Sequence, residues 1–156
     1  MNPFVPDPEI EALDLGVVAK AAAYELKTAH PSVKFTSGRR GKDDQARAMA
    51  SNVVFNRKWI QETYVANDAS KACQKWVDDN PTRKAKTDVA AGLLAVMNSL
   101  TDAQLSKLSK HLSGDAFDVQ PVEQDADAIK ATINSLTGLS RFLEKEGGLV
   151  RWHAQF

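Results

Sequence analysis

Three short stretches of this 156-residue chain read as strands, and long runs of helical period separate each from the next. Val33-Lys34-Phe35-Thr36-Ser37 alternates apolar and polar residues and is ended by Gly38. Asp115 to Gln120 is stopped by Pro121, and Leu149 to Phe156 follows a turn at Gly147-Gly148. So few strand residues can build only a small sheet, and the apolar faces of the helices need a surface to cover. The predicted fold is α+β, a small antiparallel sheet covered by several helices.

The helical stretches carry their own punctuation. Asp7-Pro8 pairs an N-cap residue with proline at the first helical position, and Ile10, Leu13, Val17, Ala21 and Tyr24 recur at helical spacing, which predicts one helix from there to about Thr28. Further helices are expected over Lys42–Phe55, over the region Trp59–Asp79 with a break at Asn67-Asp68, and over Lys84–Leu100. Thr101-Asp-Ala-Gln104 is a capping box for a short helix after that. Glu123–Leu136 and Leu139–Glu146 read as helical, with Gly138 between them. No internal repeat, low-complexity linker or heptad run divides the chain, and its length suits a single domain over residues 1–156.

Composition narrows the function classes. Lys plus Arg equals Asp plus Glu at 20 each, so no bulk attraction to nucleic acid is implied. The aromatic residues Trp59, Tyr64 and Trp76 are therefore expected to pack in a core or line a groove rather than stack on bases. Cys73, the single cysteine, excludes an intramolecular disulfide and a cysteine-based zinc site, and its helical surroundings suggest a half-buried small hydrophobe. No apolar run approaches the roughly 18 residues of a membrane span, and the N-terminus has no secretory pattern. The expectation is a soluble chain made in the cytoplasm, a monomer, with no nucleic-acid or membrane partner.

The three histidines are His30, His111 and His153. His111 and Asp118 stand seven apart with small residues between them, so an imidazole and a carboxylate suited to Zn²⁺ can face one point. His153, in the last strand beside Trp152, would be a third ligand, leaving a fourth tetrahedral position for water. His30 precedes Pro31 at an expected turn, and nothing pairs it with the other two. Asp125 and Asp127 lack the oxygen spacing and glycine of a calcium loop and suit the N-terminus of a helix instead.

Ser109-x-His111-x-x-Gly114-x-Ala116-x-Asp118 with Trp152-His153 near the end resembles the zinc D-alanyl-D-alanine carboxypeptidase family. That family includes VanY- and VanX-type enzymes and phage L-alanyl-D-glutamate endolysins. Ser37-Gly38-Arg39-Arg40-Gly41-Lys-Asp-Asp-Gln45 is similar to its Ser-Gly-Tyr-Arg-Ser-x-x-x-Gln element, with Arg39 in place of tyrosine and Gly41 in place of serine. The three elements occur in the family's order over residues 37 to 156.

The resemblance implies a sheet that carries a single catalytic zinc held by His111, Asp118 and His153. It implies Arg40 and Gln45 lining the substrate cleft, with the Arg40 guanidinium pairing a peptide carboxylate or steadying an oxyanion. Ser109 would support the site by hydrogen bonding, or cap the backbone. The implied substrates are peptide stems of bacterial peptidoglycan, and the implied setting is the cell wall, reached through the periplasm. Relatives of the VanX and endolysin kind place an acid three residues before the last histidine ligand, where this chain has Val150. Glu146 is the nearest acid that could act as general base, with Glu144 and Asp115 as alternatives. A chain that kept the ligands and lost the base would be a zinc-containing binding module.

Overall fold

The computed structural model describes residues 4–146 and 149–156, the side chains of Glu146 and Leu149 excepted. It shows mixed helix and strand, with a four-stranded antiparallel sheet, so the α+β expectation holds. The chain forms two compact units, one of Met1–Arg39 with Ser113–Phe156 and the other of Arg40–Leu112. Among the described residues no helix is long and apolar enough to cross a membrane.

The first unit holds the sheet. Its helices are α1 (Pro8–Glu11), α2 (Val17–Ala29) and α9 (Ala126–Asn134), and its strands are β1 (Phe35–Ser37), β2 (Ala116–Val119), β3 (Arg141–Glu146) and β4 (Leu149–Gln155). The strand order is β1-β2-β4-β3. Because side chains alternate across a strand, register decides what shares a face. Phe35 opposes Val119 and Val119 opposes Trp152, while Phe117 opposes Ala154 and Ala154 opposes Phe142. These rows pack with Ala22, Ala23 and Leu26 of α2 and Ile129 and Ile133 of α9 into one apolar core. Phe117, fully buried, takes Phe35 edge-on at 5.2 Å between ring centroids and lies against Phe156 at 5.4 Å.

The helix read from Asp7 to Thr28 is two helices. Asp7 does cap α1 by accepting from the Glu9 amide, but Asp14 takes φ 50°, a left-handed conformation that ends helical geometry, and Gly16 starts α2 afresh. Tertiary contacts hold that break: the Arg39 amide donates to Leu13 O at 2.8 Å. A Cβ on Gly38 would sit 2.5 Å from the same oxygen, so only glycine lets the two segments approach this closely.

The stretch Leu139–Glu146 is not helical, since Arg141–Glu146 is edge strand β3. β4 has β2 on one side only, and β3 satisfies its other row of backbone groups. Phe142 goes to the core while Arg141 and Glu144 stay exposed, an arrangement that either period can produce in so short a run. The turn expected at Gly147-Gly148 lies outside the described residues.

The second unit is helical, with α3 (Lys42–Val53), α4 (Trp59–Thr63), α5 (Asp68–Asp79), α6 (Lys86–Asn98) and α7 (Asp102–Leu108). Asn67–Ser70 and Thr101–Gln104 form capping boxes that open α5 and α7. Met49, Val53, Ile60, Val77, Leu93 and Met97 are buried in its core. Cys73 is wholly buried there, deeper than the sequence suggested. Trp59, Tyr64 and Trp76 pack against this core, Trp59 meeting Tyr64 edge-on at 5.6 Å. Arg57 closes the far end of α5 by donating to the carbonyls of Val77, Asn80 and Arg83. One helical turn, α8 (Lys110–Ser113), then leads the chain toward β2.

Candidate metal site

Sheet register sets two of the candidate ligands side by side. Ser37 on β1 opposes Asp118 on β2, and Asp118 opposes His153 on β4. This row occupies the face opposite the one carrying Phe117 and Trp152. The Ser37 hydroxyl donates to Asp118 Oδ2 at 2.7 Å, and Asp118 Oδ1 lies 2.8 Å from His153 Nδ1. Two residues along β4 and on the same face, Gln155 Oε1 meets the other imidazole nitrogen, Nε2, at 3.0 Å. Ser37 and Gln155 are site residues that the motif reading did not assign; strand alternation, which sets i and i+2 side by side, was the signal for Gln155.

His111, Asp118 and His153 are all buried and form a group that could hold a metal ion: one ligand atom from each lies within 4.8 Å of the others. Zinc bonds of 2.0–2.1 Å in a tetrahedron would set donors about 3.3 Å apart. The group's chemistry fits a metal. Burying a carboxylate and two imidazoles is costly unless a cation or hydrogen bonds satisfy them, and nitrogen with carboxylate oxygen is a donor set for divalent first-row metals.

No known protein family, curated protein or solved structure matches this chain.

The connection between His111 and Asp118 is built for close packing. Gly114 is buried with φ +76°, a backbone that side chains rarely adopt, and a Cβ there would meet the Arg39 guanidinium at 2.7 Å and Gly16 N at 3.1 Å. The Gly16 amide donates to Gly114 O, and Arg39 Nε donates to Asp14 O. Arg39, which stands where the resembled element has tyrosine, is exposed and covers Gly114. Ser109 caps: its hydroxyl accepts from the His111 amide at 3.2 Å. Asp115 accepts from the Ser113 hydroxyl at 2.7 Å.

In the helical unit the Arg40 amide donates to His111 O at 2.9 Å. The Arg40 guanidinium donates to Gln45 Oε1 at 3.1 Å, and Gln45 Nε2 donates to the Tyr64 hydroxyl at 3.1 Å. Gln45 is only 2% exposed, which leaves its amide occupied by these two neighbours and makes it a brace for Arg40. Tyr64, expected to pack in a core or line a groove, packs against the core of this unit and accepts at its hydroxyl from Gln45.

The acid positions differ in what surrounds them. Leu143 opposes His153 while Lys145 opposes Val150, a one-residue register shift that returns Val150 to the face bearing His153. Val150 is 62% exposed there. Glu144 pairs with Lys130 of α9 at 2.6 Å, and Lys130 also lies over the Trp152 ring. Glu146 ends β3 opposite Leu149; its side chain lies outside the described residues. His30 stands apart at the end of α2, where Nε2 meets Thr132 Oγ1 at 2.7 Å.

Proposed function

We propose that this chain is a zinc-dependent peptidase that cleaves peptide stems of bacterial peptidoglycan, of the phage endolysin kind. The observation that carries the reading is the buried His111–Asp118–His153 group. Two imidazoles and one carboxylate leave a zinc ion room for further ligands, which separates a catalytic site from a closed structural one. Bound there, zinc would supply a Lewis acid that polarises a carbonyl and acidifies water.

The protein's own residues supply the remaining tasks. Arg40, braced by buried Gln45, presents a planar cation for a substrate carboxylate or a developing oxyanion. Glu146 is the acid we assign as general base, which would take a proton from water and return it to the leaving amine. Ser37 holds Asp118 by its second oxygen.

The test is digestion of purified peptidoglycan followed by mass spectrometry of the products, whose new termini identify the bond cut. Glu146→Gln should abolish hydrolysis while zinc is retained. A second reading rests on Val150, an exposed apolar residue where an acid is expected, and makes the chain a zinc-containing binding module. A wild type that holds zinc and binds peptidoglycan without cutting it would favour that reading.

A further inference from the structure

Asp118 Oδ1 and His153 Nδ1 lie 2.8 Å apart in a buried setting, and each of these groups has its other polar atom engaged. Ser37 donates to Asp118 Oδ2 and Gln155 accepts at His153 Nε2. The carbonyl oxygen of Gln155 can only accept, so Nε2 carries the ring proton on that side. An imidazole protonated at Nε2 presents a lone pair at Nδ1. The Asp118 oxygen that faces Nδ1 at hydrogen-bond distance also only accepts, so this short contact holds either a proton or a metal ion between the two atoms.

Resting on the metal reading above, we infer that Gln155 and Ser37 are positioning residues that choose which atoms face the metal: Gln155 selects Nδ1 of His153, and Ser37 selects Oδ1 of Asp118. The geometry is set by the sheet alone. Gln155 shares the face of β4 with His153 two residues away, and Ser37 stands opposite Asp118 in the β1–β2 ladder. Neither side chain needs to touch the metal. Each fixes a ligand's rotation, and Gln155, by accepting at Nε2, also makes Nδ1 of His153 more basic, a role that hydrogen-bond partners of metal-binding histidines commonly play.

Zinc affinity, read by competition with a chelating dye, and ¹⁵N NMR of histidine-labelled, zinc-loaded protein test this together. Wild type should show His153 with its proton on Nε2 and the metal on Nδ1. Gln155→Met should lower zinc affinity about 10- to 100-fold and mix the His153 tautomers, with Ser37→Ala lowering affinity over the same range. Gln155→Glu keeps an acceptor oxygen in place and should keep the wild-type tautomer; Ser37→Thr keeps the hydroxyl and should keep most of the affinity. A purely structural role for Gln155 would move stability without moving the tautomer. Zinc on Nε2 of His153 in wild type, or a Gln155→Met protein with unchanged affinity and tautomer, would overturn the assignment. A wild type that takes up no zinc overturns the metal reading itself, and this inference with it.

Discussion

Gly114→Ala tests how tightly the link between His111 and Asp118 is constrained. Alanine at φ +76° costs about 1–2 kcal/mol from the left-handed backbone alone. The new methyl would also lie 2.7 Å from the Arg39 guanidinium, well inside contact distance. The cheapest relief is for Arg39 to swing into solvent, which loses its hydrogen bond to Asp14 O and its ion pair with the exposed Asp14 carboxylate. Those losses amount to about 1 kcal/mol, because the pair is solvent-screened and one neutral acceptor is involved. Gly16 N, at 3.1 Å, must then shift by a few tenths of an ångström.

The total for Gly114→Ala is about 2–4 kcal/mol. In an Arg39→Ala background the same change should cost about 1–3 kcal/mol, since the left-handed backbone and the Gly16 contact remain. Urea unfolding of the four proteins in this double-mutant cycle gives the coupling energy directly. Equal costs in both backgrounds would refute the contact, and a cost for Gly114→Ala below about 0.5 kcal/mol would refute the backbone argument as well.

Two further outcomes follow from buried packing in the helical unit. Gly92 lies inside α6, where replacing glycine by alanine ordinarily gains up to about 1 kcal/mol, but a Cβ there would come within 1.8 Å of the Trp76 ring. Gly92→Ala should therefore destabilise by about 1–3 kcal/mol and become stabilising in a Trp76→Ala background, as measured by thermal unfolding. Desolvation pushes the Cys73 thiol up from 9.0 to about 11. At pH 8 it should resist a thiol reagent until the protein unfolds. The neutral thiol favours the fold, so its contribution is intact below the ordinary thiol value and is lost as pH rises from about 9 toward 11. Fast labelling of the native protein would contradict the burial.

The candidate ligands were legible as a group from an imidazole and a carboxylate seven apart, a histidine in a terminal strand, and the family resemblance that joins the three. What sequence could not supply was register. Ser37 opens the Ser-Gly-x-Arg element, but its place beside Asp118 follows only from the pairing of β1 with β2, and Val150 returns to the ligand face only through a one-residue shift against β3. The helices over Lys42–Val53 and Asp68–Asp79 declared themselves through period and caps. Arg141–Glu146 did not, because a six-residue run with two central apolar positions satisfies helix and strand alike, and only the open edge of β4 decides between them. The break at Asp14 was hidden for a related reason. An aspartate enters the left-handed region only when neighbours hold it there, and Gly38 and Arg39 are more than 20 residues away in the chain.

The central claim is that His111, Asp118 and His153 hold one metal ion. Elemental analysis and calorimetric titration of chelator-stripped protein test it most directly. One zinc per chain is predicted, with unfolding stability raised by about 2.7 kcal/mol at a free zinc concentration 100 times the dissociation constant. Asp118→Asn and His153→Ala should each lose that uptake while folding in its absence. A wild type that binds no zinc at micromolar concentration, or an Asp118→Asn variant that binds it as wild type does, would contradict the account.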